Sequence, residues 1–516
     1  MQRYQGPLST PLLLRETCER DEPMKDLKQK TIRGGVARVV AQIVFFVLRI
    51  AALMILARLL DPRDFGLVGM VTAFTSVFIL FRDFGLSTAT IQKADITTEQ
   101  ISSLFWINIL VGALLTVLLS ASAPIVVRFY HEPRLFWVTI ALASGFVINA
   151  AGVQHSALLQ RELRFTELAV IQIAALAIST VLGIGMALLG YGYWSLVVLS
   201  VTLPLASTIG FWMVSGWAPS RPQKVAGILP MLHFGGAVTL ISLIVYVAYN
   251  LDKVFVGRYL GAAALGIYGR SYQIISIPTE NMNAAVGEVA FAALARLQDD
   301  PARLRSYFLK GYSLVLGLTV PITCIIGMFP HDLVMVILGS KWDSATRILQ
   351  FLAPTILVFA IINPLGWLLF ALGMVKRSIK IALVLAPVVI SGYAIGLRFG
   401  SNGVALGFSS AMILWAVPHI AWGVHGTPIS FADVMKTMFK PVLSGGIAGA
   451  IAYIFQFFAG GWLPFPRLLV GVCVLLVAYG SMLLYAMQQK GFYWDLFHGL
   501  FKRSVEPEPQ PAVQEI

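Results

Sequence analysis

Charge is scarce in this chain. Of its 516 residues only 12% are Asp, Glu, Lys or Arg, 58% are hydrophobic, and the mean hydropathy is +0.80. That is too little polar surface to cover a soluble globule of this size, so a water-soluble enzyme or binding module is excluded. Cysteine is scarce too. Cys18 lies in a polar tail and Cys324 and Cys473 in apolar runs, which supports neither a disulfide framework nor a metal cluster. His155, His233 and His419 stand singly, without metal-ligand spacing, and read as core or interfacial groups. No Walker A, no Gly-rich phosphate loop and no Ser/His/Asp spacing stands out, and no polar gap is long enough to hold a folded domain. No cofactor is implied. Acidic residues number 25 against 38 basic, a formal charge of +13. In a soluble protein that excess would suggest nucleic acid; in a membrane protein basic loops set orientation, so no nucleic-acid partner is expected.

What is present is a succession of apolar runs of about 20 residues, the length that spans a bilayer as a helix. Breaks at basic residues, Pro and Gly give fourteen spans: 34–60, 66–82, 103–127, 135–157, 168–189, 192–216, 234–257, 266–290, 311–330, 346–372, 379–397, 403–424, 440–459 and 467–488. The fold class expected is an all-α polytopic membrane protein. The first 33 residues lack the apolar region of a signal peptide, so the first span acts as an uncleaved anchor, and Met24 is an alternative start. With the N-terminus inside, the inner loops carry 25 Lys and Arg and the outer loops 9, which places both termini in the cytoplasm.

One stretch returns two hundred residues later. LARLLDPRDFGLVG at 56–69 reappears as VGRYLGAAALGIYG at 256–269, with Arg58, Leu60, Gly66 and Gly69 matching Arg258, Leu260, Gly266 and Gly269. Each copy lies between two apolar runs, so the glycines are expected in the tight re-entry turns, with Arg58, Gly66, Arg258 and Gly266 as structural corners. The offset carries span 1 onto span 7, both running outward, the arrangement of parallel repeats about an axis normal to the membrane. The expected organisation is a cytoplasmic tail (1–33), an N-lobe of six helices (34–216), a cytoplasmic linker (217–233), a C-lobe of six helices (234–424) around a shared central cavity, two additional helices (425–488), and a Pro- and Glu-rich cytoplasmic tail (489–516), expected to be disordered.

Ionisable side chains within spans mark candidate sites, because they are costly in hydrocarbon. Arg38, Gln42 and Arg49 share one face of span 1. Arg270, Gln273, Glu280 and Glu288 share one face of span 8, with Pro278 expected to break that helix. Span 7 adds Tyr246, Tyr249, Asn250 and Lys253, with Asp252 beside them, and span 2 adds Thr72, Thr75, Ser76, Arg82 and Asp83. Arg38, Arg49, Arg270, Lys253, Gln273 and Asn250 form a cationic substrate-binding set. Glu280, Glu288, Asp83 and Asp252 are candidates for coupling to H+ or Na+. The blander alternatives are snorkelling of Arg38, Arg82, Asp83 and Glu288 to the headgroups, helix capping by Arg58 and Arg258, and a structural Arg49 to Glu280 ion pair.

Four stretches, ILARLLDPRDFGLVGM at 55–70, RDFGLSTATIQ at 82–92, ALLQRELRF at 157–165 and NLDKVFVGRYLGAAALGIYGRSYQ at 250–273, resemble the Wzx-like lipid-linked oligosaccharide flippases of the multidrug/oligosaccharidyl-lipid/polysaccharide exporter superfamily. The resemblance covers roughly 24–290. It implies a V-shaped cavity and a polyprenyl-diphosphate-linked saccharide as substrate, whose diphosphate suits arginine's planar donors. It further implies a bacterial cytoplasmic (inner) membrane protein for lipopolysaccharide, exopolysaccharide or capsule synthesis, with membrane lipids, a polysaccharide polymerase and glycosyltransferases as partners. Two rivals stand beside it. A multidrug cation antiporter of that superfamily should have an acidic cavity, and a membrane polysaccharide polymerase or ligase should have a sizeable outer loop, whereas the longest here, 331–345, is short.

Overall fold

The computed structural model describes residues 42–79, 82, 90, 96–221, 246, 249–491 and 493–494, apart from the side chains of 281–285, 288 and 289. These residues are overwhelmingly helical, with no strand among them. The chain divides into two compact units, Met1–Gly266 and Ile267–Ile516. The first contains α1 (Gln42–Leu59), α2 (Pro62–Ile79), α3 (Thr98–Tyr130), α4 (Leu135–Arg161), α5 (Phe165–Leu188), α6 (Trp194–Ser215) and α7 (249–255), which widens into a π-turn, Val256–Leu260. α8 (Gly261–Arg296) begins in the first unit and continues in the second. There follow α9 (Pro301–Met328), the short α10 (Pro330–Ile337), α11 (Ala345–Ala371), α12 (Val375–Leu397), α13 (Gly400–Val424), α14 (Phe431–Phe458) and α15 (Pro464–Ser481).

Eleven of the described helices are long and apolar enough to cross a membrane. The chain is a multi-pass membrane protein. α2 and α8 overlap two of the other stretches read as spans and are more polar, α2 opening on Arg63 and Asp64 and α8 carrying Arg270 and Glu280; of the third stretch, 234–257, the described residues are 246 and 249–257. Helix starts follow local chemistry. Thr97 and Gln100 form a reciprocal capping box at α3, as do Ser430 and Asp433 at α14, satisfying amides that no helical carbonyl can reach.

Three sequence expectations need correction. Gly66 and Gly69 lie inside α2, and Gly266 and Gly269 inside α8, rather than in turns. Their use is close approach: a Cβ on Gly66 would overlap the carbonyl oxygen of Ala262, and one on Gly266 the carbonyl oxygen of Pro62. Pro62 and Ala262 are themselves equivalent in the repeat, so the contact is reciprocal. The true turns differ, with Asp61 donating its amide to Asp64 Oδ2 at 3.2 Å in one copy and Gly261 at φ 85° in the other. Second, α8 runs on through Pro278; the proline removes one donor without ending the helix. Third, the segment 331–345, expected as an outer loop, holds most of α10 and a 3₁₀ turn, Ser340–Trp342.

α10 anchors α15 within the second unit. Asp332 on α10 is 1% exposed, and Arg467, in the first turn of α15, donates Nε to both its oxygens at 3.0 and 2.9 Å, with a further contact from Nη2. Ser444, Ala448 and Ala452 give α14 a small-residue stripe, the device by which membrane helices approach closely without a hydrophobic driving force. Ala448 and Ala452 cluster with Val320, Phe329, Leu475 and Tyr479, and Tyr479 donates to the Gly317 carbonyl at 3.0 Å. Arg467→Ala leaves a buried carboxylate without its cation and is expected to cost about 3–5 kcal/mol. The double variant Arg467→Met/Asp332→Leu should recover most of that in a thermal melt in detergent; a single variant melting like the wild type would show that the pair carries no stability.

Candidate functional site

The candidate residues are divided between the two units. In the first unit, Lys253 Nζ donates to Asn250 Oδ1 at 2.7 Å and Asn250 Nδ2 donates to the Tyr246 carbonyl at 3.0 Å, a polar ladder along one face of α7. Asp252 is wholly buried, and its Oδ1 accepts the Lys253 amide at 2.7 Å. Arg49 is exposed on α1, alongside exposed Ile43, Val47 and Phe46. A guanidinium cannot stay bare in hydrocarbon, so this position requires water or an anion beside it. Arg258 lies over the rings of Phe129 and Tyr259, 5.7 and 5.6 Å from their centroids, a cation–π role at the corner, and Arg58 is exposed.

In the second unit, half-buried Arg270 donates Nη1 to Gln273 Oε1. The bond orients the guanidinium. Glu280 is exposed on the same helix. Arg38 and Asp83 lie outside the described residues, as does the Glu288 side chain. Among the described residues no His, Cys, Asp and Glu group could hold a metal ion. His155 is a core group, stacked on Trp212 at 4.3 Å with Trp217 at 5.0 Å, and His419 accepts Trp415 Nε1 at 3.1 Å.

A feature missed by weighing only ionisable groups is a polar cavity inside the first unit. Asn149, Val153, Ser156 and Gln160 on α4, Gln172 on α5, and Ser200, Leu203, Ser207 and Phe211 on α6 enclose about 550 Å³, with Arg82 among its lining residues. The α4 residues fall at i, i+4, i+7 and i+11 and the α6 residues at i, i+3, i+7 and i+11, each a single helical stripe. The amides and hydroxyls among them, at 149, 156 and 160 and at 200 and 207, make each stripe visible in the sequence, but not the meeting of the stripes. A second cavity of about 290 Å³ shares Gln160 and Gln172 and reaches Gln42 and Phe45 on α1, so Gln42 of the predicted α1 stripe does line a polar space.

The model of the family described as polysaccharide biosynthesis protein matches residues 55–347, more than half of the chain. The chain belongs to this family. Among family relatives, the lipopolysaccharide biosynthesis protein WzxC of Escherichia coli (strain K12) is 27% identical over 470 residues, covering 88% of this chain and 90% of WzxC. The teichuronic acid biosynthesis protein TuaB of Bacillus subtilis (strain 168) is 31% identical over 313 residues, 58% of this chain and 62% of TuaB. In fold, this polysaccharide biosynthesis protein is similar to the lipid II flippase MurJ in its inward closed conformation, with a TM-score of 0.68 at 15% identity over 90% of this chain and all of that one. An inward-facing multidrug MATE transporter is similar at a TM-score of 0.60 and 14% identity, over 78% of this chain and 99% of that one. The fold is that of membrane transporters.

Proposed function

We propose that this chain is a flippase that carries polyprenyl-diphosphate-linked saccharide units from the inner to the outer leaflet of a bacterial cytoplasmic membrane, for surface polysaccharide synthesis. The observation that carries the reading is the family match over 55–347, joined to a relative in lipopolysaccharide biosynthesis along nearly the whole chain. Two six-helix lobes alternate access to the substrate, Arg38, Arg49 and Arg270 receive the diphosphate, and a polymerase and glycosyltransferases act on either side of the step. A multidrug antiporter shares the fold but would require cation-binding acids where this chain offers exposed Arg49 and half-buried Arg270. The test is reconstitution: a polyprenyl-diphosphate disaccharide on one leaflet of a vesicle should become accessible to a sugar-modifying enzyme on the other side faster with the protein than without it. Equal rates would remove the reading.

Orientation and coupling give two further tests. With both termini cytoplasmic, a cysteine within 296–305 should resist an impermeant thiol reagent in intact cells and one within 339–343 should be labelled; the reverse pattern inverts the topology. Glu280 is the leading coupling carboxylate, with Glu288, Asp83 and Asp252 behind it. Proton or Na+ binding there biases the lobes between inward and outward states. Glu280→Gln should therefore transport without responding to an imposed pH or Na+ gradient, and an unchanged response would exclude this residue.

A further inference from the structure

The cavity enclosed by α4, α5 and α6 differs in chemistry from the arginine positions. Its volume of about 550 Å³ falls within the roughly 300–1,000 Å³ of small-molecule sites. Lipid tails do not account for its wall, because amides and hydroxyls turned to hydrocarbon cost free energy unless paired. Some of the hydroxyls are paired internally, Ser200 Oγ with the Leu196 carbonyl and Ser207 Oγ with the Leu203 carbonyl, both at 2.8 Å. The Asn149 and Gln172 side chains make no hydrogen bond to another described residue, and Gln172 is exposed. Pro204 also lines the cavity; lacking an N–H, it leaves the Ser200 carbonyl without its helical donor, which adds a backbone acceptor.

This wall is poor in charge, Arg82 being the one formal charge among the lining residues. A diphosphate would find few cations here. A sugar finds matched chemistry: amides and hydroxyls that both donate and accept, set against apolar Val153, Leu203 and Phe211 for the C–H face of a ring. We propose that this cavity receives the uncharged saccharide part of the transported lipid, with Asn149, Gln160, Gln172 and Ser207 hydrogen-bonding its hydroxyl and amide groups. The proposal rests on the carrier reading above and adds where in the first unit the sugar is recognised.

The test is binding by the purified full chain in detergent, with two probes: polyprenyl diphosphate carrying di-N-acetylchitobiose and the same lipid diphosphate bare. The wild type should prefer the glycosylated lipid by roughly tenfold or more, the scale of a few neutral hydrogen bonds. Asn149→Leu/Gln172→Leu should lose that preference while holding the bare lipid diphosphate within about twofold. Ser207→Ala, a mild change on a helix, should lose part of it and answers the case in which the double variant does not fold. A wild type that binds both lipids alike, or variants that keep the preference, overturns the proposal. Vesicle transport then separates the two readings: selective binding without translocation sinks the carrier and leaves the sugar site, whereas translocation with unselective binding sinks the site and leaves the carrier.

Discussion

Gly66→Ala and Gly266→Ala should each sharply reduce the amount of folded protein, although the same change is ordinarily benign in a helix. Replacing a helical glycine by alanine usually gains about 0.5–1 kcal/mol by restricting the unfolded chain and improving helix propensity. Here the added methyl meets a backbone carbonyl, that of Ala262 for Gly66 and of Pro62 for Gly266, and a carbonyl cannot rotate out of the way as a side chain can. Overpacking typically costs 1–3 kcal/mol, occasionally more, and a clash between two helix backbones belongs at the upper end, out of a total stability of about 5–15 kcal/mol. Gly185→Ala supplies the control, since nothing lies near a Cβ there, and should be neutral or stabilising. Thermal melts and yields of the three variants side by side decide the matter. If Gly66→Ala melts with Gly185→Ala, the close approach of α2 and α8 is not a constraint.

Arg49→Ala and Arg270→Ala should abolish most transport while leaving folding intact, the opposite outcome. Each guanidinium contributes charge-assisted hydrogen bonds worth about 1.5–3 kcal/mol apiece, so removing one should lower the transport rate at limiting substrate by roughly 10- to 100-fold. Lysine keeps the charge but not the planar fork, so Arg→Lys should fall between alanine and wild type. Arg49 is exposed and Arg270 is only half-buried, so neither loss should open a hole in a packed core. The discriminating measurement is transport alongside melting temperature: lost transport with an unchanged melt supports a substrate role, lost folding makes the arginines structural, and full transport removes them from the mechanism.

The helices were legible in the sequence because apolar run length is set by bilayer thickness, which tertiary context does not alter. α11 illustrates this, observed at Ala345–Ala371 where 346–372 was expected. The glycine repeat was also visible, but its purpose was not: a sequence cannot distinguish a glycine needed for its backbone angles from one needed because another backbone passes close by. α10 escaped notice for lack of length, at eight residues. Within the candidate site, the ladder through Lys253, Asn250 and Tyr246 followed from helical spacing, whereas the cavity beside Gln160 and Gln172 needed three helices brought together, and its neutral residues carry no signal in a charge count.

The reciprocity of the glycine contact reaches back to the origin of the chain. Residue 62 meets residue 266 while residue 66 meets residue 262, so in the numbering of a single repeat, one position touches a second and is touched by it in return. That is the signature of an isologous interface, the kind two identical subunits form about a two-fold axis. Duplication and fusion of a half-length polypeptide would place such an interface within one chain. The two corners are no longer identical, since Pro62 faces Gly266 where its counterpart Ala262 faces Gly66, while both glycines, each against a backbone carbonyl, leave no room for a side chain.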